Sequence, residues 1–280
     1  MSFLPKPVHV AIGIPMDDGM TNAGLMQYQQ VLAGWGLRQS PKQYRFSLLT
    51  NTFVRPVEYA RNLLVRDFLR TDASFLWFID ADMIPTSSTT AIFEVDADMV
   101  CGRAHAYQDM PGGVTGVKIS AHMKEKDSDL FVNILPTPDD PVIMDVEACG
   151  TASLLIKRHV LEDPRMYLPT TYVNGDGQCK NLDDEKDKES WAPAIFRSLY
   201  KPNGMLLRGE DMDFTYRATR LGYSLKVHLG AEIGHFKKLD VDGVERAGRQ
   251  ALIRHGQRIK ELMQAEVLKE ASHAKRLQAV

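Results

Sequence analysis

Short, unbroken apolar runs punctuated by polar, turn-rich stretches dominate the first half of this chain. "VHVAIGIP" (Val8 to Pro15) reads as a buried strand, ended by Pro15 and the polar "MDDGMTNAG" that follows. "YRFSLLTN", from Tyr44, reads as a second strand, and "SFLWFID", from Ser74, as a third. Apolar runs this short, bounded by turn signals, suit strands covered on both faces. Between the second and third lies "RPVEYARNLLVRDFLRT". It has Pro56 at a helix start and apolar residues at 57, 60, 64 and 68, the helical period. Strand, helix and strand at this spacing predict a βαβ unit and a largely parallel sheet.

The pattern continues downstream. A helix is expected over residues 25 to 35, a short one in "STTAIFEVD", and a strand in "ADMVCGRAH". The stretch from 104 to 146 is mixed and Pro-rich, with Gly112 and Gly113, and suggests an antiparallel hairpin. "GTASLLIKRHVLE" reads as strand then helix. "GEDMDFTYRATRLGY" opens with acids, ends in a basic turn and stops at Gly222, a well-signalled helix. "SLKVHLGAEIGH" is a late strand with its exit. These elements predict one α/β catalytic-sized domain over residues 1–242. Within it, the acidic, turn-rich residues 173–190 read as a solvated loop or a mobile lid. Residues 243–280 read as a basic helical extension with a partial apolar stripe (Leu252, Ile259, Leu262, Met263, Val267). That stripe suits packing on the domain or on another subunit in an oligomer. Its Arg and Lys residues suit contact with a nucleic acid or the anionic face of a membrane, though Glu245, Glu261, Glu266 and Glu270 dilute the charge.

Composition changes this picture little. The 280 residues carry 34 Lys and Arg against 36 Asp and Glu, a net charge of -2, so the whole chain has no polyelectrolyte character. No apolar run reaches bilayer length, and the N-terminus lacks a basic segment followed by an apolar one. Cys101, Cys149 and Cys179 are scattered without CxxC spacing, as expected of reduced thiols in a cytoplasmic protein.

The candidate chemistry starts where the third apolar run ends, in "FLWFIDADMIP". Asp80 and Asp82 are two residues apart, and on an extended backbone such residues share a face. Paired carboxylates repel and raise each other's pKa unless a cation sits between them. Hard oxygen ligands suit Mg²⁺ or Mn²⁺, and ligands of open α/β sheets gather at the carboxyl ends of strands. Taken alone, the triplet is equally a solvated turn with capping acids.

Four further segments fall in order around it: "ARN" (Ala60 to Asn62), "GTASLLIKRHVLE", "GEDMDFTYRATRLGY", and Gly234–His235. Together with the DxD triplet they resemble the GT-A fold glycosyltransferases, specifically the family 2-type enzymes that use nucleotide-sugars, over roughly residues 8 to 238. The resemblance implies a Rossmann-like three-layer α/β/α fold with a mostly parallel central sheet, followed here by the helical extension. It implies that Asp80 and Asp82 bind the metal and the donor, with His235 as a third metal ligand, Mn²⁺ preferred over Mg²⁺. It gives Asp211, with Glu210 beside it, the part of general base in an inverting transfer from a nucleoside-diphosphate sugar to a hydroxyl. Arg61 would add a positive contact to the nucleotide, and Ile14 and Pro15 would contact the base through the main chain. The acid that reads uracil in many members has no counterpart in "LLTNTFVRP", where Thr50 or Asn51 would have to substitute. That departure leaves the identity of the base open: UDP-sugar is a preference only, and GDP-sugar stays open. The acceptor is equally open among a glycan, a lipid-linked sugar, a protein and a modified DNA base. Two other readings share the fold: a sugar nucleotidyltransferase, and a non-catalytic module that binds a glycan or nucleotide.

Overall fold

The structure, a computed structural model, describes residues 7–16, 44–52, 54–86, 88–110, 114–126, 130–167, 172–173, 179–180 and 194–235. The expected helix over 25 to 35, most of the acidic stretch 173–190 and the basic segment 243–280 lie outside the described residues.

In chain order the elements are β1 (Val8–Met16), β2 (Tyr44–Thr52), α1 (Val57–Leu69), β3 (Phe75–Ile79), β4 (Met83–Pro85) and a 3₁₀ turn (Thr89–Glu94). There follow β5 (Met99–Met110), β6 (Val114–Ile119), β7 (Ala121–Lys124), β8 (Phe131–Asn133), β9 (Ile143–Asp145), β10 (Ala148–Cys149) and β11 (Ser153–Lys157). The chain continues with α2 (Arg158–Glu162), β12 (Tyr172–Val173), β13 (Cys179–Lys180), β14 (Leu199–Tyr200), β15 (Leu206–Arg208), α3 (Glu210–Arg220) and β16 (Leu225–His235). One large sheet organises them, in the order β2-β1-β3-β11-β5-β16-β4, with β6 added to β5 and β9 to β16. This is an α/β fold on a mixed sheet. β1 pairs parallel with β2 and β3, and β16 parallel with β5. β11 lies antiparallel between β3 and β5, and β4 lies antiparallel on β16. The hairpin expected between 104 and 146 forms from β5 and β6, with His105 opposite Ile119.

Alternation along the strands fills both faces. Ala11, Leu76, Phe78, Met99, Cys101, Leu154 and Ile156 enter one core, where α1 supplies Leu64, Val65 and Phe68, and α3 supplies Phe214 and Ala218. Val10, Ile12, Trp77, Ile79, Val100 and Leu155 enter the other, against Ile92 of the 3₁₀ turn. That is why the runs read as continuously apolar: neither face of these strands meets water. Burying each large side chain such as Phe68, Trp77 or Phe214 contributes about 1.5–3 kcal/mol. Trp77 Nε1, in this dry interior, donates to Ser153 Oγ at 3.2 Å, which satisfies its N–H.

The helices behave as their signals dictate. In α1, Ala60, Leu64 and Phe68 are buried, whereas Val57 faces a cavity at 40% exposure. Arg158 closes the other end of α1: it donates to the carbonyls of Phe68, Thr71 and Ala73 and lies 4.5 Å over the Phe68 ring. α3 ends in a Schellman motif. Tyr223 N–H donates to Ala218 O and Gly222 N–H to Thr219 O, with Gly222 at φ +97, a conformation that glycine adopts without steric cost. Cys101 and Cys149 are buried free thiols.

Candidate active site

Three segments far apart in sequence meet at the carboxyl edge of the sheet. β3 emerges at Ile79, and the chain then turns: Asp80 N–H donates to Ala152 O at 3.4 Å and Met83 N–H to Asp80 O at 2.9 Å. The extended geometry expected for the DxD triplet therefore does not hold. The aspartates occupy a tight turn, because the chain must reverse for β4 to pair with β16. The second segment is α1, which carries Arg61 one turn in from Pro56. The third is α3, whose first turn holds Glu210, Asp211 and Asp213.

Arg61 joins the other two segments. Its guanidinium is 5% exposed; Nη2 donates to Asp80 Oδ1 at 2.9 Å and Nη1 to Glu210 Oε1. Burial by itself works against its charge, but Asp80 and Glu210 hold its pKa above the ordinary arginine value. Arg61 is therefore not a solvated helix arginine. Asp211 sits beside the pair. Its carboxylate accepts from Met212 N–H at 2.7 Å and lies against the bare Cα of Gly150, with Oδ2 3.3 Å from where a Cβ would be. Burial, together with the charge of Glu210, pushes Asp211 up to about 6, while Arg61 and the Met212 amide restrain the rise. A half-buried carboxylate in that range is ionised near neutrality yet basic enough to take a proton.

Other predicted residues take defined places. Pro15 and Met16 at the end of β1 line a cavity of ≈ 610 Å³ with Val54, Arg55, Pro56, Val57 and Ala60. Ile14 is 3% exposed, so its side chain belongs to the core. Asn51, opposite Pro15, donates from Nδ2 to Ala60 O at 2.7 Å, and its Oδ1 is buried without a partner among the described residues. Asn62 faces away from this cavity and clamps a neighbouring segment: Oδ1 accepts from Ile195 and Phe196 N–H, and Nδ2 donates to Phe196 O. The backbone of His235 lies opposite Met83, the residue after Asp82, so the register brings it to the DxD turn. Asp213 is 1% exposed and receives Arg217 at 2.8 Å, Arg208 at 3.3 Å and Arg197 at 3.9 Å.

The donor set fits a hard divalent cation. Asp80 uses one oxygen for Arg61; its Oδ2 has no protein partner among the described residues, and its side chain is 30% exposed. Among the described residues no three His, Cys, Asp or Glu side chains gather tightly enough to hold a cation alone. Mg²⁺ and Mn²⁺ commonly take one or two carboxylates and complete their shell with water and phosphate oxygens. The open oxygen of Asp80 is of that kind, and Asp82 follows two residues later in the same turn.

Sequence reasoning did not single out Gly150, Ser120 or the Arg61–Glu210 pair. Gly150 is bare because a Cβ there would strike Ser120 Oγ. The glycine opening "GTAS" was its only trace in the sequence.

No family model matches the chain, and no curated protein matches it. Comparison with solved structures finds partial similarities. The A197 protein from STIV has a TM-score of 0.42 at 16% identity, covering 82% of this chain and 87% of its own. The Drosophila β1,4-galactosyltransferase 7 complexed with manganese, UDP-Gal and xylobiose has a TM-score of 0.40 at 11% identity, covering 82% and 72%. S. aureus TarS 1–349 in complex with UDP-GlcNAc has a TM-score of 0.36 at 14% identity, covering 85% of this chain and 61% of its own.

Proposed function

We propose that this chain is a metal-dependent, inverting glycosyltransferase that moves a sugar from a nucleoside-diphosphate donor, UDP-sugar preferred, to a hydroxyl acceptor. The observation that carries this reading is the convergence of Asp80, Arg61 and Glu210 at one edge of the sheet, with Asp211 next to Glu210 in the first turn of α3. Asp80 and Asp82 would hold Mn²⁺ or Mg²⁺, with His235 supplied by the neighbouring strand. When bound, the cation would stabilise negative charge on the departing diphosphate. Asp211 would accept the proton of the attacking hydroxyl, a step for which a base near the working pH is most efficient. The cavity lined by Pro15, Arg55 and Ala60 has room for a nucleobase.

The test is a thermal-shift panel of UDP-, GDP-, TDP- and CMP-sugars, each with Mn²⁺, with Mg²⁺ and with EDTA. Binding to the native state raises its apparent stability. Stabilisation by one nucleotide-sugar that EDTA removes is the expected result. A response to nucleoside triphosphates alone would assign the site to nucleotidyl transfer instead.

The metal assignment makes its own prediction. Asp82→Asn should weaken Mn²⁺-dependent UDP binding at least about tenfold, ~1.4 kcal/mol, while leaving the melting temperature near that of the wild type. Titration calorimetry with and without EDTA measures it. Equal affinity in the variant would remove Asp82 from the metal site.

A further inference from the structure

We infer that Arg61 is a positioning residue that fixes the DxD turn to the catalytic helix, rather than a contact to the donor. The inference deepens the glycosyltransferase reading and rests on it for its catalytic consequence. Three observations lead to it. First, the guanidinium is nearly sealed from solvent, at 5% exposure, and both terminal nitrogens already serve carboxylates from different elements. A diphosphate arriving from solvent finds little of it to touch. Second, the two partners are 19 and 149 residues away from it in sequence and belong to the two functional segments. Asp80 starts the turn that would bind metal; Glu210 is the residue before the proposed base. Third, Asp80 is held by one oxygen only, so the Arg61 bond leaves Oδ2 open while fixing the plane of the carboxylate. Partners behind a metal ligand commonly act in this way, setting its orientation without touching the ion.

The chemistry of the side chain supports the assignment. A guanidinium is a rigid planar fork that can bond two carboxylates at once, whereas lysine offers a single point charge. The cluster also needs this cation. Asp80, Glu210 and Asp211 place three acids together, and Arg61 is the cation to which two of them are bonded. Its Nε is buried without a partner among the described residues, so the two carboxylates, and not a full set of hydrogen bonds, hold the guanidinium there. Displacing α3 relative to the DxD turn would misalign acceptor oxygen, base and donor together, and a misplacement of about 1 Å costs on the order of a hundredfold in rate.

The experiment compares Arg61→Lys and Arg61→Gln with the wild type. Turnover of the donor found in the nucleotide-sugar panel is expected to fall by about a hundredfold, while any loss in the Kd for Mn²⁺ plus UDP matches that of Glu210→Gln, which breaks the same clamp, to within about threefold. A Kd that weakens clearly more in the Arg61 variants than in Glu210→Gln would make Arg61 a donor contact and overturn the proposal. A second measurement does not use activity. Urea midpoints are compared for Arg61→Gln, Glu210→Gln and the double variant. The double variant is expected to lose clearly less than the sum of the single losses, because each change removes the same clamp. Strictly additive losses would overturn the proposal. If Arg61→Gln does not accumulate as folded protein, Arg61→Lys with Glu210→Gln provides the same cycle. If the wild type binds no nucleotide at all, the glycosyltransferase reading fails while the urea cycle still decides whether Arg61 couples the two segments.

Discussion

Asp211→Asn is expected to lower sugar transfer by about 10²–10⁴-fold while leaving nucleotide binding intact and raising the stability of the fold at neutral pH. The two effects share one cause. Burial and the neighbouring Glu210 push the Asp211 carboxyl up to about 6 from an ordinary value of 3.8. The folded protein therefore binds this proton more tightly than the unfolded chain does. The associated stability is fully present below about pH 3.8 and is lost as pH rises through about 6. Above that, the ionised carboxylate costs on the order of 1–3 kcal/mol. Asparagine keeps the shape and an oxygen acceptor for the Met212 amide but carries no charge. The variant should melt a few degrees higher at pH 7.5, at roughly 2–4 °C per kcal/mol, and the gain should shrink towards pH 4. Melting curves from pH 4 to 8 and single-turnover rates measure both halves. A wild-type transfer rate that rises with pH through an apparent pKa near 6 belongs to the same prediction. Unimpaired transfer by the variant would remove Asp211 as the base.

The second large effect is structural. Asp213→Ala should destabilise the fold by about 3–5 kcal/mol, enough to lower the denaturant midpoint substantially. Asp213 is buried and anchors Arg217, Arg208 and Arg197 at 2.8, 3.3 and 3.9 Å. Without it, two half-buried guanidinium groups and a third beside them face one another unpaired. Arg217 also donates to Met166 O and Ile195 O, so its displacement would loosen two segments at once. Arg208, held over Tyr216 at 4.7 Å, leads directly into Gly209 and the start of α3. Some loss of activity should follow from the shifted helix. Asp213→Asn, which keeps an acceptor for Arg217, should lose clearly less. Equal and small losses in both variants would show that the arginines find other partners.

Much of the fold follows from local pattern. The strands β1, β3 and β11 are short apolar runs because both of their faces are covered. α3 carries its own start and stop, acids against the N-terminal dipole and Gly222 in the left-handed region that closes the Schellman motif. Asp80, Asp82, Glu210, Asp211 and the His235 segment were legible as candidates because their order along the chain matches a known arrangement. The tight turn at Asp80–Met83 was not legible. Nothing within "DADM" demands it; the later β16, to which β4 must return, does.

The sequence by itself determined the element types, the two-sided burial of the central strands and the residues offered at the edge of the sheet. These depend on periodicity and on residues within a few positions of one another. The tertiary structure alone decided that β11 would insert antiparallel between β3 and β5, and that Arg61 would bond acids 19 and 149 residues away. It alone decided that Asp213 would hold three arginines and that Asp211 would be pushed up to about 6 while its neighbour Glu210 paired with Arg61. Burial and charge proximity are properties of position in space, and two acids adjacent in sequence acquire opposite electrostatic lives when a fold seals one against a glycine and gives the other a cation.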